Sequence, residues 1–311
     1  MKRRTVALLS GGISSEREVS LNSGNQVYEA LDKEKYRVVR YDPKTDLARL
    51  VADAETIDVA LIILHGPFGE DGTVQGLLDL LGIPYQGAGV LGSAAAMNKL
   101  AAKRLYAQSG LPVPAYQVVG KREEFEAAAC VADLGMPLVV KPVAAGSSVG
   151  MTIVRKEEDL APAIDTAFAF DRQVLVEAFI DGVEVTGGVI GNDLVEALPL
   201  IEIIPGEGHE FFDYTAKYTP GATQEICPAR IDAALTEKAQ RYAVAAHQAL
   251  FCRGYSRTDM ILKDGEFYVL ETNTIPGMTQ TSLFPQAAAV AGLDFTRLLD
   301  RLLELALEDG A

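Results

Sequence analysis

The feature that most constrains the fold is a regular alternation of short apolar runs and helical patterns in the first third of the chain. The runs TVALLS, YRVVRYD and IDVALIIL are typical strands, and a helical segment from about Ser15 to Leu31 separates the first two. Strands that alternate with helices form a parallel sheet. Such a sheet binds ligands at the edge where its strands end, and the loops SGGISSE and HGPFGEDGT follow two of these ends.

The rest of the chain predicts two further lobes, both of mixed α+β pattern. We therefore predict an α/β protein with lobes at residues 1–88, 89–181 and 182–311. The third lobe contains a long helix from about Asp232 to Leu250 and a hairpin from Ser256 to Thr272. Residues 205–224 form a polar connection that is longer than most loops in compact domains, which is typical of a lid.

The charge balance disfavours two classes of partner. The 311 residues include 28 Lys and Arg against 43 Asp and Glu, a net charge of −15. Nucleic acids and anionic membranes bind basic surfaces, so neither is an expected partner. The three cysteines form no CxxC pair, and no segment has the pattern of a signal peptide or a membrane span. These observations predict a cytoplasmic protein.

The most informative segment for chemistry is the hairpin SRTDMILKDGEFYVLETN at residues 256–273. A two-residue Asp-Gly turn would pair Lys263 with Glu266 and send the carboxylates of Asp259 and Glu271 to opposite faces. A three-residue loop that ends in a left-handed glycine is also common, and it shifts the pairing by one residue. The shifted register pairs Leu262 with Glu266 and Arg257 with Glu271, which places Asp259 and Glu271 on one face.

The shifted register separates polar from apolar side chains. It places Arg257, Asp259, Glu271 and Asn273 on one face, and Met260, Leu262, Tyr268 and Leu270 on the other. Two carboxylates and an amide oxygen are hard ligands that suit Mg²⁺ bound to substrate phosphates. We therefore favour the three-residue loop and a Mg²⁺ site, the alternative being a hairpin whose ordinary charged residues face solvent.

A second candidate site is the loop in LVVKPVAAGSSVGM, residues 138–151. A strand ends on Lys141, and the following Gly146, Ser147, Ser148 and Gly150 offer backbone N–H groups and hydroxyls to phosphate oxygens. The spacing is not that of a Walker loop. A flexible turn is the alternative for this loop taken alone.

Several isolated charges are further candidates. Lys99 could add a phosphate contact near a helix start, and Glu177 and Glu184 flank a turn that could hold an adenosine. Lys217 and Tyr218 lie in the long loop, where they could close over a reacting phosphate. For each of these residues, a surface position without function is the alternative.

The loops at the edge of the first sheet contribute three more candidates. Ser15 and Glu18 match a capping box, which would place Glu16 in the first turn of a helix at this edge. His65 and Glu70 follow the third strand at the same edge. Glu16 could instead complement the helix dipole, and His65 could be an ordinary turn residue.

Together these segments resemble the D-alanine:D-alanine ligases of the ATP-grasp superfamily over nearly the whole chain. The resemblance rests on motifs in the family's order and spacing: GGISSEREVSLNSG, LHGPFGEDGTVQG, KPVAAGSSVGM, EAFIDGVEVT, DYTAKYTPG, GYSRTDM and LETNTIPGMTQTSLFP. The phosphate loop reads AAGSS, where family members often have a charged pair before GSS, so its closing contacts can differ.

The resemblance implies an ATP-grasp fold in which the second and third lobes clamp ATP. It assigns the ATP phosphates to Lys99, Lys141, Lys217 and Ser148, and the adenosine to Glu177, Ile180 and Glu184. It further assigns two Mg²⁺, for which Mn²⁺ can substitute, to Asp259, Glu271 and Asn273.

The resemblance also implies the reaction, the ATP-dependent joining of two D-alanines through a D-alanyl phosphate to supply peptidoglycan synthesis. Glu16, linked to Ser147 and Tyr218, would anchor the first D-alanine beside His65. Arg257 and the Gly277 N–H would stabilise the oxyanion, and Ser282 and Leu283 would bind the second D-alanine. A homodimer is implied as well.

Two alternatives remain open. A related ligase could form D-alanyl-D-lactate, but such ligases lack a tyrosine at the position of Tyr218. The chain could also be a non-catalytic nucleotide-binding module, which the presence of Arg257 and all three metal ligands disfavours.

Overall fold

The computed structural model describes residues 3–146, 149–206 and 223–308, and it contains three sheets. The first is the predicted parallel sheet, with strands in the order β2-β1-β3. Its elements are β1 (Arg4–Ser10), α1 (Arg17–Ala30), β2 (Tyr36–Tyr41), α2 (Leu47–Asp53), β3 (Val59–Ile63) and α3 (Thr73–Leu80). All of β3 is buried, as expected of a parallel strand with both faces covered.

The start of α1 differs from the prediction. The helix begins at Arg17, and the capping box expected from Ser15 and Glu18 does not form. Ser14 makes the side-chain hydrogen bonds before this helix instead. Its Oγ accepts the Glu16 N–H at 3.2 Å and donates to the His65 carbonyl at 2.7 Å. This bridge ties the two loops at the sheet edge together.

The second sheet is antiparallel, in the order β4-β7-β5-β6. It is preceded by two helices, α4 (Val90–Met97) and α5 (Lys99–Gln108). Its own elements are β4 (Tyr116–Val119), α6 (Ala127–Leu134), β5 (Leu138–Pro142), β6 (Thr152–Val154), α7 (Leu160–Phe168) and β7 (Val174–Ala178). Its core combines apolar residues of the strands with those of α6 and α7.

The third sheet has the order β11-β10-β8-β12-β13, and β9 pairs with β8. Its elements are β8 (Val183–Gly191), β9 (Glu196–Ala197), β10 (Ile201–Pro205), β11 (Thr223–Ile226), α8 (Ala233–Ala249), β12 (Gly254–Lys263), β13 (Glu266–Asn273), α9 (Leu283–Val290) and α10 (Phe295–Glu308). Asp232 caps α8 by accepting the Leu235 N–H at 2.9 Å.

Two helices join the lobes, because each packs against the sheet of another lobe. Ala102 and Tyr106 of α5 share a buried core with Met260 and Phe267 of the third sheet. In the same way α10 packs its apolar face against the first sheet. Each predicted lobe thus contains one sheet. The exact lobe boundaries stay a prediction, because helices of one lobe pack against the sheet of another.

The β12–β13 hairpin corrects the predicted register. Lys263 pairs with Glu266, so the favoured three-residue loop is wrong. The turn is the two-residue Asp264-Gly265, and both residues have positive φ (51° and 77°), as a type I′ turn requires. Between Asp259 and Met260 the register then shifts by one residue.

This shift is a β-bulge in which Leu270 is the extra residue. It pairs Asp259 with Glu271 and Arg257 with Asn273, so the predicted pairing of Arg257 with Glu271 is wrong, although the four polar residues share one face as predicted. The predicted apolar face is wrong in part: the hairpin residues that join Met260 and Leu262 in the core are Phe267 and Val269. Tyr268 pairs with Ile261, and Leu270 and Ile261 line a cavity.

No helix in the described parts of the chain is both long and apolar enough to cross a membrane.

Candidate active site

The inter-sheet cavity lies between the second and third sheets and has a volume of about 130 Å³. Strands β5 and β7 supply one wall, and β8, β12 and β13 supply the other. Five of the residues predicted to bind ATP line it: Lys99, Lys141, Glu177, Ile180 and Glu184. Most of the remaining lining is apolar, including Met151, Phe179 and Leu270, which suits a flat aromatic ring.

Beneath this cavity lies a buried ion triad of Lys103, Lys141 and Glu177. The Glu177 carboxylate is 2 % exposed and lies 3.1 Å from Lys103 Nζ and 3.0 Å from Lys141 Nζ. Burial lowers the pKa of Lys103 to about 8 although Glu177 opposes the shift. Burial acts against the charge on Glu177, but the two lysines hold the pKa of its carboxyl below the usual value.

Sequence reasoning missed Lys103. A usable signal was its position four residues after Lys99, because residues four apart share one face of a helix. The lysine is fully buried, which is rare without a charged partner.

The edge cavity lies at the carboxyl edge of the first sheet and has a volume of about 500 Å³. It brings together six residues predicted from distant parts of the sequence: Glu16, His65, Arg257, Gly277, Ser282 and Leu283. The predicted metal ligand Asn273 also lines it. Lys99 and Glu271 line both cavities, so the two spaces meet at this pair.

Lys99 connects the hairpin to the glycine-serine loop. Its Nζ lies 3.3 Å from Glu271 Oε2 and donates to the Ala145 carbonyl at 2.7 Å. A Cβ on Gly146 would lie 3.4 Å from Glu16 Oε2, so this loop also approaches the edge of the first sheet. The predicted site residues Ser147, Ser148, Lys217 and Tyr218 lie outside the described residues, as does most of the predicted lid.

Asp259 is held from three sides. Arg257 donates to both carboxylate oxygens, at 2.9 and 2.8 Å, and Asn273 Nδ2 donates at 3.1 Å. Thr186, which sequence reasoning missed, lies opposite Asp259 on β8 and donates its hydroxyl at 2.6 Å. These contacts fix the carboxylate in the wall of the inter-sheet cavity, opposite Glu271 on the paired strand.

The predicted metal ligands share one face of the hairpin. Asp259 pairs directly with Glu271, and Asn273 follows two residues later on the same face. The described residues contain no cluster of three His, Cys, Asp or Glu side chains arranged for a metal. The set is instead two carboxylates and one amide, which are oxygen ligands of the kind that Mg²⁺ uses beside phosphates.

Glu16, His65 and Glu70 form the floor of the edge cavity. Glu16 is 6 % exposed, and its Oε2 lies so close to Gly66 that a Cβ there would be 2.7 Å away. Burial, together with Glu16, raises the pKa of Glu70 to about 8, and Glu70 Oε2 accepts the Gly66 N–H at 2.6 Å. Glu70 therefore retains its proton at neutral pH and adds no second negative charge beside Glu16.

His65 is buried and lies beside the same carboxylates. Burial lowers the pKa of its imidazole more than Glu16 raises it, so the ring is neutral at neutral pH. A neutral ring can make hydrogen bonds in the cavity without repelling an ammonium group.

The start of α9 forms another wall of the edge cavity, across from the floor that contains Glu16 and His65. Ser282 Oγ accepts the Thr279 N–H at 3.1 Å, and a Cβ on Gly277 would lie 3.0 Å from the same oxygen. Ser282 makes no side-chain capping bond to α9. The N–H groups of the first turn, beginning at the buried Leu283, can therefore serve a carboxylate.

Comparison with known proteins identifies the family. Residues 5–48 and 42–88 match the family model of the D-ala D-ala ligase N-terminus, and residues 105–304 match that of its C-terminus. The chain belongs to the D-alanine–D-alanine ligase family. It is 64 % identical to the D-alanine–D-alanine ligase of Syntrophobacter fumaroxidans over 99 % of both chains. It is 56 % identical to that of Desulfotalea psychrophila over 99 % of this chain and 96 % of the relative.

Solved ligase structures have the same architecture. A Bacillus anthracis D-alanine–D-alanine ligase complexed with ATP superposes with a TM-score of 0.87 at 37 % identity, covering 99 % of this chain and 98 % of that one. The VanG D-Ala:D-Ser ligase of Enterococcus faecalis gives 0.84 at 34 % identity, covering 98 % and 100 %. The predicted family, ATP-grasp fold and ligase class are confirmed.

Proposed function

We propose that this ligase joins two D-alanines through a D-alanyl phosphate, with conversion of ATP to ADP, and so supplies D-alanyl-D-alanine for peptidoglycan. The observation that carries the proposal is the junction of the two cavities at Lys99 and Glu271. A nucleotide in the inter-sheet cavity and an amino acid in the edge cavity would meet there.

The inter-sheet cavity would hold ATP. Glu177, Ile180 and Glu184 would surround the adenosine, while Lys99 and Lys141 would face the phosphates. Lys217 and Ser148 complete the phosphate set that the family resemblance implies. Asp259, Glu271 and Asn273 would hold two Mg²⁺, or Mn²⁺, which neutralise charge on the phosphates during transfer.

The first step would take place at the floor of the edge cavity. Glu16, assisted by the link to Ser147 and Tyr218, would hold the ammonium of the first D-alanine beside the neutral ring of His65. The substrate carboxylate would then attack the γ-phosphorus. The product is an acyl phosphate, whose carbonyl carbon accepts an amine because phosphate is a good leaving group.

The second step would take place at the start of α9, in the wall of the edge cavity across from this floor. Ser282 and the Leu283 N–H would bind the carboxylate of the second D-alanine, and its amine would attack the carbonyl carbon. Arg257 and the Gly277 N–H would stabilise the oxyanion that develops. Buried donors are effective here because they need little reorganisation as charge develops.

The test is the reaction itself. Purified protein with Mg²⁺ and ATP should release phosphate only when D-alanine is added, and D-alanyl-D-alanine should form in equal amount. Adding D-lactate or D-serine as competing acceptors should leave the dipeptide as the main product. Phosphate release that D-alanine does not stimulate, or a product dominated by another acceptor, would refute the assignment.

We further propose that the enzyme acts in the cytoplasm as a homodimer, as the family resemblance implies. Sedimentation equilibrium should give twice the chain mass of 33.3 kDa. A single-chain mass at assay concentration would contradict the dimer.

A further inference from the structure

Glu225 is a carboxylate in the wall of the edge cavity to which the sequence motifs assign no role. It lies on the edge strand β11, where it pairs with Ile203. Its half-buried side chain lines the cavity on the side that also contains Arg257 and Ser282. An acidic group in this position faces the space assigned to the second amino acid.

Gln286 fixes the position of the Glu225 carboxylate. Its Nε2 donates to Glu225 Oε2 at 2.5 Å and to the Thr281 carbonyl at 2.6 Å. Its backbone N–H donates to the Ser282 carbonyl at 3.0 Å, so Gln286 lies one turn beyond Ser282 on the same face of α9. Gln286 therefore ties the Glu225 carboxylate to the N-terminal end of α9, where the substrate carboxylate site is proposed.

A carboxylate beside a helix N-terminus suits an amino acid zwitterion. The first turn of α9 offers N–H groups to the carboxylate, and Glu225 offers an anion to the ammonium on the neighbouring carbon. An acceptor bound in this way must still lose a proton, because an ammonium nitrogen has no lone pair with which to attack.

The charges around Glu225 are few among the described residues. Arg257 on β12 is the charged neighbour that acts on the Glu225 carboxyl. On β10 the residue paired with Glu225 is Ile203, and the sequence of α9 contains no titratable side chain. Burial raises the pKa of the Glu225 carboxyl, and Gln286 and Arg257 limit the rise. A carboxylate with a raised pKa is a better proton acceptor at neutral pH.

We propose that Glu225 is the general base that deprotonates the second amino acid, an inference that rests on the proposed function. One ammonium proton moves to a Glu225 carboxylate oxygen, and the freed nitrogen lone pair forms the C–N bond at the acyl phosphate. The C–O bond to phosphate then breaks, the second proton that the nitrogen must lose passes to the departing phosphate, and hydrogen phosphate leaves. Glu225 afterwards releases its proton to water.

The test is Glu225→Gln, which keeps an oxygen that can accept from Gln286 but cannot take a proton. We expect dipeptide formation to fall about 100-fold, the lower end of general-base effects. Hydroxylamine is largely uncharged at neutral pH and needs no base, so it should form D-alanyl hydroxamate at the wild-type rate. The acidic limb of kcat/KM for the second D-alanine should also disappear.

The matched control is Gln224→Ala, which changes the neighbouring exposed residue on the other face of the same strand. This variant should retain wild-type rates with both acceptors. Unchanged dipeptide formation by Glu225→Gln, or equal loss of dipeptide and hydroxamate, would overturn the inference alone. A wild-type enzyme that makes no dipeptide would overturn the proposed function and the inference together.

Discussion

The inter-sheet cavity and the edge cavity meet at Lys99 and Glu271, but they are built in different ways. The inter-sheet cavity is walled by strands of two sheets, and beneath it lysines are paired with Glu177 within one lobe. The edge cavity takes residues from distant parts of all three predicted lobes, among them Glu16, Lys99 and Ser282. The first depends on how two sheets face each other, whereas the second depends on how all three lobes pack.

The two cavities also control buried charge differently. In the ion triad, opposite charges balance one another at about 3 Å. At the floor of the edge cavity two carboxylates are neighbours, and Glu70 retains a proton instead. We therefore predict that a substitution in one cavity changes the kinetic constants or the pH response that depends on that cavity. The properties that depend on the other cavity should change much less.

The largest effect should come from Arg257→Ala in the edge cavity. Loss of an oxyanion donor lowers kcat about 100- to 1,000-fold. The KM for ATP should change less than kcat, because Arg257 does not line the inter-sheet cavity and Asp259 keeps its bonds to Thr186 and Asn273. Steady-state dipeptide synthesis with each substrate varied would measure both. Arg241→Ala, at an exposed position on α8, is the control, and an unchanged kcat for Arg257→Ala would remove Arg257 from the proposed role.

The next effect should come from Lys103→Met beneath the inter-sheet cavity. The substitution removes one cation from a buried carboxylate, which should lower the free energy of unfolding by about 3 kcal/mol. Glu177 would also lose its fixed position, so the KM for ATP should rise more than the KM for D-alanine. Urea unfolding and steady-state kinetics measure these changes, and Arg104→Met at the adjacent exposed position is the control. A selective rise in the KM for D-alanine would contradict the separation between the cavities.

The smallest effect should come from Glu70→Gln, and it concerns pH. The folded-state pKa of about 8 lies above the ordinary 4.5, so the folded protein binds more protons between these values and its stability falls as pH rises. Glu70→Gln removes this titration and should reduce the loss by up to about 1.4 kcal/mol for each pH unit within the window. Urea unfolding across that window is the measurement, with exposed Glu29→Gln as control. Parallel curves for the variant and the wild type would show that Glu70 is not protonated in the folded state.

How far the sequence predicted the site follows from how local each signal is. The parallel sheet and the loops at its edge were predictable, because hydrophobic period and turn residues are properties of short segments. Thr186 was not predictable, because a strand threonine has no local pattern that distinguishes it, and the spacing of Lys103 from Lys99 indicates a shared helix face but not a partner. Only the packing of α5 against the second sheet and of β8 against β12 places them beside Glu177 and Asp259.

The hairpin separates what the sequence determined from what the tertiary structure decided. The sequence by itself determined the family, the three-lobe order and the presence of two carboxylates, an amide and an arginine near one turn. It left two registers open, because Asp-Gly suits a two-residue turn and a three-residue loop alike. The structure combines the two-residue turn with a bulge at Leu270. That bulge lets Phe267 and Val269 fill the core while Asp259 and Glu271 face the cavities, a requirement set by packing on both faces rather than by the turn.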